Sequence, residues 1–443
     1  MASNERPPMT ILFTVVLVDM LGLTLVIPFL TYFIQDLAAA DGITDVGSRD
    51  FWVGVTIAIY SFAQFLFTPI LGSLSDRLGR RPILMFGLLS NSVFFIVFGL
   101  SSSLTMALVA RFLAGAGNGS IAVTKAYIGD ISEPEKIPAR MGMIGAAFGL
   151  GFMIGPFIGG VLSDPANSIG GFFNTDLWRS YPYLLPCMFS SLMSISAFLL
   201  ALSHLPESLP ESLRSTTTQP PLGTFFSTVS SMAVVIRLPK ISSLVIVNFL
   251  FLLGFTMMHG TFILFTSMPE EMGGLGWSEM DNGWIFAFIG LLGVLVQGVL
   301  MRPLSNRFRL SSMMITGTLI CAIGIASIPY APADASWLIF GSAAGLAIGN
   351  GLFSPTQSSL LTFESQSGGF ELGMVMGAQE GAGALARIIG PLLSAYIWSV
   401  TVQGTGLWTY HTCFRVAGVV LMLALLLQLG ISHRNPPVHQ GGA

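Results

Sequence analysis

Charged residues are scarce in this chain of 443 residues: Asp, Glu, Lys and Arg together make up 9% of it, while 53% is hydrophobic. A soluble domain usually carries about 25% charged residues, so this composition excludes the ordinary soluble classes. The net charge of −3 and the lack of a basic tract argue against nucleic acid as a partner. The composition is that of an integral protein of a lipid bilayer.

Sequence signatures of cofactor and metal chemistry are also missing. No Gly-x-x-x-x-Gly-Lys-Ser/Thr loop occurs, which argues against ATP as the energy source, and neither His-Glu-x-x-His nor Cys-x-x-Cys is present. The cysteines Cys187, Cys321 and Cys413 all lie in apolar runs, which is typical of packing residues. We therefore expect no cofactor, no metal site and no enzyme activity.

What the chain does contain is a series of twelve apolar runs, and a membrane-spanning helix needs about 20 such residues. They are called spans 1 to 12 below and cover residues 10–37, 51–71, 82–101, 104–131, 141–162, 181–203, 241–268, 282–301, 312–330, 336–363, 373–402 and 408–430. Lys and Arg concentrate in the connecting segments that are cytoplasmic if the N-terminus is cytoplasmic. The sequence therefore predicts an all-α membrane protein with twelve transmembrane helices and both termini in the cytoplasm.

The composition changes between spans 6 and 7, where residues 205–240 are polar and rich in proline. We interpret this segment as a cytoplasmic linker between an N-terminal half, 1–204, and a C-terminal half, 241–443. Residues 225–237 within it are a candidate for an amphipathic helix at the membrane interface.

The two halves contain matching landmarks. Those of the first half recur after 232, 230 and 235 residues, respectively: Gly117-Asn118-Gly119 as Gly349-Asn350-Gly351, Ser75-Asp76-Arg77 as Ser305-Asn306-Arg307, and Gly155-Pro156 as Gly390-Pro391. A near-constant offset indicates duplication, although coincidence among many glycines is the alternative. Duplicated six-helix halves are typical of secondary transporters, whose substrate site lies between the repeats.

Three motifs carry a resemblance to a known family. The stretch 72–82 between spans 2 and 3 resembles the signature loop of the major facilitator superfamily, with Gly72, Asp76, Arg77, Gly79 and Arg80 at its positions. Span 4 has the family's Arg-x-x-x-Gly motif at 111–115. Span 5 is similar to the antiporter motif Gly-x-x-x-Gly-Pro-x-x-Gly-Gly, in the form Gly151, Gly155, Pro156, Gly159 and Gly160. The twelve-span, tetracycline-efflux-like drug:proton antiporters are the nearest match.

This resemblance implies proton-coupled efflux of small amphipathic compounds by alternating access, with the loop at 72–82 acting as a conformational latch. Asp76 would meet the start of span 11, and Arg80 would pair with Asp130 at the end of span 4. The alternative is a solvated basic turn that only sets topology. The loop's copy in the second half has Asn306 where an acid would be, so we expect an asymmetric latch.

Span 4 also carries charge inside the membrane. Arg111, Asn118 and Lys125 are seven residues apart, a spacing that puts them on one stripe of a continuous helix. Intramembrane charges face a bundle interior or a wet cavity. Asp19 in span 1 lies at a similar depth, so it could pair with Arg111 or Lys125.

The second half offers further candidates for the same cavity. Glu380 and Arg387 in span 11 are also seven apart, and His259 lies in span 7. A carboxylate in a dry cavity can switch between protonated and ionised states, so Asp19 or Glu380 is the predicted proton carrier. The alternatives are static pairs of Asp19 with Lys125 and Glu380 with Arg387, and a purely packing role for His259.

Lys125 and Glu380 depart from the drug-efflux pattern, so an organic-anion or metabolite carrier is the alternative function. The span-5 glycines either allow close helix packing or let this helix flex during transport. We expect a small-molecule substrate and protons as partners, a monomer, and a multi-pass location in the plasma (inner) membrane.

Overall fold

The structure, a computed structural model, describes residues 9–133, 137–214, 234–235, 237–370 and 372–434. Long apolar runs form helices because a bilayer offers no water to backbone N–H and C=O groups, and a helix satisfies them within one segment. Those residues are all-helical in their regular structure, with no strand. Within the predicted linker the described residues are 205–214, 234–235 and 237–240. The candidate interfacial helix at 225–237 therefore lies outside the described residues apart from 234–235 and 237.

Each of the twelve predicted spans corresponds to a helix or an interrupted helix. In order they are Met9–Leu25 with Ile27–Ala40, Val46–Leu78, Arg80–Gly99, Leu104–Gly117 with Ser120–Ile131, Ile137–Leu162, Leu184–His204, Pro239–Ser267, Glu279–Leu295 with Val296–Leu300 and Met301–Arg307, Leu310–Ser327, Leu338–Ser367, Leu372–Thr401 and His411–Arg434. Short helical turns at Pro165–Ser168, Gly171–Phe173, Asp176–Ser180, Glu211–Leu213, Glu270–Met272, Ile328–Tyr330 and Ala333–Ala335 lie between them.

Ten of these helices are long and apolar enough to cross a membrane, and the two bent parts of span 1 together make an eleventh. The described apolar part of span 5 is Gly149–Leu162. Span 1 bends by 44° between its two helices, at Val26. Pro28 lies in the first turn of the second helix, and proline has no backbone N–H to donate to the preceding turn. Span 8 contains a π-helical turn at Val296–Leu300.

The chain packs as two compact units. Unit 1 comprises Met1–Thr44, Ile59–Phe225 and Trp277–Gly290, and unit 2 comprises Asp45–Ala58, Phe226–Gly276 and Leu291–Ala443. Two segments, Asp45–Ala58 and Trp277–Gly290, thus pack with the half of the sequence to which they do not belong. The division of the sequence into 1–204 and 241–443 remains our interpretation of the repeat.

Both exchanged segments are held by specific contacts. In unit 2, Trp398 donates its indole N–H to the buried carboxylate of Asp50 at 2.7 Å. In unit 1, Asn282 donates to the Tyr32 hydroxyl at 2.9 Å. Tyr32 in turn donates to the carbonyl of Trp277 at 2.6 Å.

The predicted repeat is visible in the packing of spans 1 and 5 and of spans 7 and 11. In unit 1, the Thr24 hydroxyl donates to the carbonyl of Gly151 at 2.8 Å. In unit 2, the Thr256 hydroxyl donates to the carbonyl of Ala386 at 3.0 Å. Thr256 follows Thr24 by 232 residues, and Ala386 follows Gly151 by 235 residues. The same helix contact therefore occurs at matching positions of the two halves.

A second repeated contact joins spans 3 and 4 and spans 9 and 10. A Cβ atom on Gly87 would lie 3.3 Å from the carbonyl oxygen of Gly117, and one on Gly317 would lie 2.8 Å from that of Gly349. Larger side chains at these positions would push the helices apart. Small residues let membrane helices approach each other closely. Coincidence among glycines does not produce matched neighbours, so the repeat is structural.

Candidate functional site

The turn between spans 2 and 3 consists of a single residue. The helix of span 2 continues to Leu78, the next begins at Arg80, and Gly79 between them has a φ of +106°. Glycine adopts this conformation without the strain that a side chain would impose. The prediction of a loop over 72–82 is therefore wrong in extent, because its polar residues extend the helix by about two turns beyond the apolar run.

Arg80 is the centre of a polar cluster at this turn. Its guanidinium lies 2.5 Å from the carboxylate of Asp76 and 3.1 Å from that of Asp130, and it donates to the Ser75 hydroxyl at 2.7 Å. Asp130 also accepts a hydrogen bond from Ser208 at 3.0 Å. The predicted Arg80–Asp130 pair is confirmed, and it joins the start of span 3 to the end of span 4.

Glu207, which the sequence analysis did not identify, completes this arrangement. Its two carboxylate oxygens accept the backbone N–H groups of Arg80 at 2.8 Å and Arg81 at 3.1 Å. These are among the N–H groups that a helix start leaves without partners, and a negative charge is favourable there. The sequence shows only that an acidic residue, Glu207, follows span 6. It does not show that this residue caps the helix of span 3.

The remaining latch prediction concerns the start of span 11. Residue 371 is outside the described residues, and a contact of Asp76 with that helix remains a prediction. The roles assigned to Gly72 and Arg77 in the latch are predictions of the same kind.

Asp19 lies fully buried in span 1 among polar side chains from other helices. Its carboxylate accepts hydrogen bonds from the amide of Asn91 in span 3, at 2.8 Å, and from the hydroxyl of Ser120 in span 4. The predicted pairing with Arg111 or Lys125 is wrong for the described contacts of Asp19, which are neutral donors.

The physical reason is a break in span 4. Its first helix ends at Gly117 and its second begins at Ser120, with Asn118 at φ −89° and ψ 75° between them. The prediction that residues seven apart share one face assumed a continuous helix. The break changes the direction in which the side chains after it point around the helix axis. Ser120, rather than Lys125, therefore reaches Asp19, while Lys125 is half-buried.

Asn118 connects this acid to a second polar position. The Ser120 hydroxyl oxygen lies 3.3 Å from the Asn118 side-chain oxygen, and the Asn118 amide donates to the Tyr60 hydroxyl at 2.6 Å. The Tyr60 ring lies under the guanidinium of Arg111, 5.4 Å from ring centre to the guanidinium carbon. Unit 1 thus contains a continuous row of polar contacts from Asp19 to Arg111.

In unit 2 the candidate residues are arranged differently. Glu380 is exposed and interacts electrostatically with Arg387, while an ion pair between the two side chains remains a prediction. His259 packs edge-on against the ring of Phe255, with ring centres 4.8 Å apart. The position equivalent to Asp19 at the 232-residue offset is Phe251, which stacks on Phe353 at 3.6 Å.

Three of the four motif glycines of span 5 face span 1, and Gly160 faces the start of span 8. Cβ atoms on Gly151, Gly155 and Gly159 would collide with Met20, Thr24 and Leu25, respectively, and one on Gly160 would lie 2.6 Å from the carbonyl oxygen of Glu279. Pro156 lies inside this helix. The packing interpretation of the motif is therefore supported by geometry, and flexing of the helix remains a prediction.

The duplicated helical repeats and the buried acid define a polytopic membrane protein of the transporter class. The family model of the Major Facilitator Superfamily matches residues 12–391 and 250–442. The chain belongs to this superfamily and has its fold. The resemblance read from the three motifs is confirmed.

Several known proteins are similar along much of the chain. The class C tetracycline resistance protein of Escherichia coli is 27% identical over 96% of this chain and 96% of that protein. Protein ZINC INDUCED FACILITATOR-LIKE 1 of Arabidopsis thaliana is 31% identical over 64% of this chain and 61% of that protein. The crystal structure of the human organic anion transporter MFSD10 (TETRAN) has a TM-score of 0.68 at 24% identity, covering 96% of this chain and 100% of that one.

Proposed function

We propose that this transporter couples proton movement to the export of small amphipathic organic compounds by alternating access, and that Asp19 carries the proton. The observation that supports this assignment is a fully buried carboxylate whose described hydrogen bonds come from the neutral groups of Asn91 and Ser120. Similarity to tetracycline resistance proteins over nearly the whole chain supports the class of substrate.

Neutral partners suit a group that must gain and lose a proton. Ser120 can donate to the carboxylate, and after rotation its oxygen can accept from the carboxylic acid, since a hydroxyl does both. A cationic partner would instead favour the ionised form. The proton would bind to an Asp19 oxygen when the site opens to one side of the membrane, and leave when it opens to the other.

Glu380 is the weaker candidate because its neighbour is a cation. Arg387 interacts electrostatically with it, and a nearby cation stabilises the ionised form of a carboxylate. We propose that Glu380 and Arg387 stay charged through the transport cycle and that His259 packs against Phe255.

The remaining assignments follow from charge distribution and resemblance. We propose that both termini lie in the cytoplasm, because Lys and Arg concentrate in the segments then facing inward. From the resemblance we further propose a monomer in the plasma (inner) membrane. The Arg80 cluster would lie on that side and stabilise one of the two access states.

Proton movement into liposomes tests the proposal. Purified protein is reconstituted with a pH-sensitive dye inside, and tetracycline, ethidium and 1-naphthoate serve as probes. We expect probe-dependent proton movement that Asp19→Asn abolishes, while exchange of labelled for unlabelled probe persists because exchange moves no net proton. Asp176→Asn, at an exposed residue, is the control and should behave like the unaltered protein.

Normal proton movement in Asp19→Asn would overturn the assignment. Loss in Glu380→Gln but not in Asp19→Asn would transfer the role to span 11. Transport of a probe without any proton movement would leave a carrier of organic anions or metabolites as the better description.

A further inference from the structure

An open cavity of about 390 Å³ lies in unit 2, where the start of span 2 meets the end of span 11. Small-molecule sites commonly have volumes of about 300–1,000 Å³. One carboxylate, three aromatic rings and smaller side chains form its walls, and among them are Asp45, Ser48, Phe51, Trp52, Tyr396 and Val400. None of these residues belongs to the family motifs or to the polar row of unit 1.

Close helix packing fixes the two walls of this cavity. A Cβ atom on Gly47 of span 2 would collide with the carbonyl of Ser399 in span 11, so the two backbones are nearly in contact. Trp398 joins the same helices through its hydrogen bond to buried Asp50. The cavity is therefore formed before any ligand arrives, which lowers the cost of binding.

Asp45 supplies the charge of the cavity. Its carboxylate accepts the backbone N–H of Ser48 at 2.7 Å, which caps the start of span 2. Hydrogen bonds from Ser48, together with the nearby Arg49 guanidinium, hold the pKa of Asp45 below its ordinary value. The group is therefore ionised at neutral pH, and the described residues that line the cavity include no lysine, arginine or histidine.

The aromatic rings of the cavity indicate which kind of cation it suits. Phe51 and Trp52 are consecutive in span 2, with ring centres 6.2 Å apart and planes at 69°, and Tyr396 contributes a ring from span 11. Aromatic faces attract cations, and aromatic walls are typical of sites that bind alkylated ammonium groups. An anionic ligand would instead be repelled by the carboxylate of Asp45.

The exposed face of span 11 indicates that this ammonium group belongs to a lipid. Tyr396 and Val400 follow Ile389 by seven and eleven residues, and all three side chains are exposed. These spacings put them on one face of the helix, and an apolar face exposed on a membrane-spanning helix contacts acyl chains. A lipid lying along it would bring its head group to Tyr396 and the cavity, at the depth where tyrosine and tryptophan concentrate in membrane proteins.

We propose that this cavity binds the ammonium head group of a zwitterionic phospholipid, with Asp45 as the counter-ion and the rings of Phe51, Trp52 and Tyr396 around the nitrogen. The acyl chains lie along the exposed face of span 11. The site belongs to unit 2, so the inference does not depend on the proton carrier proposed in unit 1. A lipid bound there would bridge spans 2 and 11 beside the hydrogen bond that already joins them.

Native mass spectrometry of lipids bound to the purified protein in a non-ionic detergent tests this without requiring transport. The probes are phosphatidylcholine, phosphatidylethanolamine and anionic phosphatidylglycerol with identical acyl chains. We expect the two ammonium lipids to bind about fivefold more tightly than phosphatidylglycerol, the ratio that one exposed cation–π contact supplies. Asp45→Asn should abolish this preference, because asparagine still caps a helix start but carries no charge. The control Glu271→Gln removes an exposed acid elsewhere in unit 2 and should keep the preference.

Equal binding of the three lipids by the unaltered protein would overturn the proposal, and this comparison needs no variant. A preference that persists in Asp45→Asn would also overturn it, as would one that Glu271→Gln abolishes equally. Trp52→Leu should weaken binding of the ammonium lipids several-fold and leave phosphatidylglycerol unchanged; equal weakening of all three would refute recognition of the head group. Free choline bound as tightly as phosphatidylcholine would refute a lipid as the occupant.

Discussion

Removing the Glu207 carboxylate is expected to loosen the start of span 3. In the structure its oxygens accept two backbone N–H groups of that helix, at 2.8 and 3.1 Å, and the N–H of Leu209 at 3.1 Å. Losing a helix cap of this kind costs about 0.5–2 kcal/mol, and a lost negative charge at a helix start costs about 0.3–1 kcal/mol. We therefore expect Glu207→Ala to lower the free energy of unfolding by about 1–2 kcal/mol.

Reversible unfolding in mixed micelles titrated with sodium dodecyl sulfate, followed by tryptophan fluorescence, measures this change. Glu207→Gln keeps one acceptor oxygen and should lose less stability than the alanine variant. The matched control is Glu211→Ala, since Glu211 is 89% exposed and its ion pair with Arg214 spans 3.6 Å. An exposed pair contributes about 0–1 kcal/mol, so equal losses in Glu207→Ala and Glu211→Ala would refute the capping argument.

Three other contacts yield predictions for the same assay. Gly155→Leu should strongly destabilise the fold because a Cβ there collides with Thr24, whereas Gly129→Leu should be tolerated since nothing lies within 4 Å; similar losses would contradict the packing interpretation. Thr24→Val removes a buried hydroxyl donor and should cost about 1 kcal/mol, and an unchanged stability would mean that this hydrogen bond is not stabilising. Trp398→Phe removes the indole donor to buried Asp50 and should cost about 1–3 kcal/mol; a variant as stable as the unaltered protein would show that the donor is dispensable.

Local features of the sequence were sufficient for much of the fold. Hydropathy predicts the spans because each apolar run must satisfy its own backbone in the membrane. The Arg80–Asp130 pair followed from a motif whose residues lie at the ends of adjacent spans. The near-constant offset predicted the repeat, and the matching contacts of Thr24 and Thr256 lie at that offset.

Predictions of which side chains share one face of a helix were less successful. The stripe of Arg111, Asn118 and Lys125 assumed an unbroken span 4, and the break between Gly117 and Ser120 invalidated it. Glycine and asparagine at that position were visible in the sequence, but their copy in span 10, Gly349-Asn350-Gly351, lies inside a continuous helix. The effect of a glycine depends on what packs against it, which is a property of the tertiary structure.

The sequence by itself determined the membrane class, the helical spans and their duplication, because these depend on composition and on repeats along one chain. Tertiary structure alone decided the partners of the buried charges. Asn91 and Ser120 reach Asp19 from two other spans, Glu207 caps a helix that begins 127 residues earlier, and Arg111 lies among aromatic rings. The physical reason is that a hydrogen bond or ion pair forms between groups brought together by helix packing, and spacing along the chain does not specify which helices become neighbours.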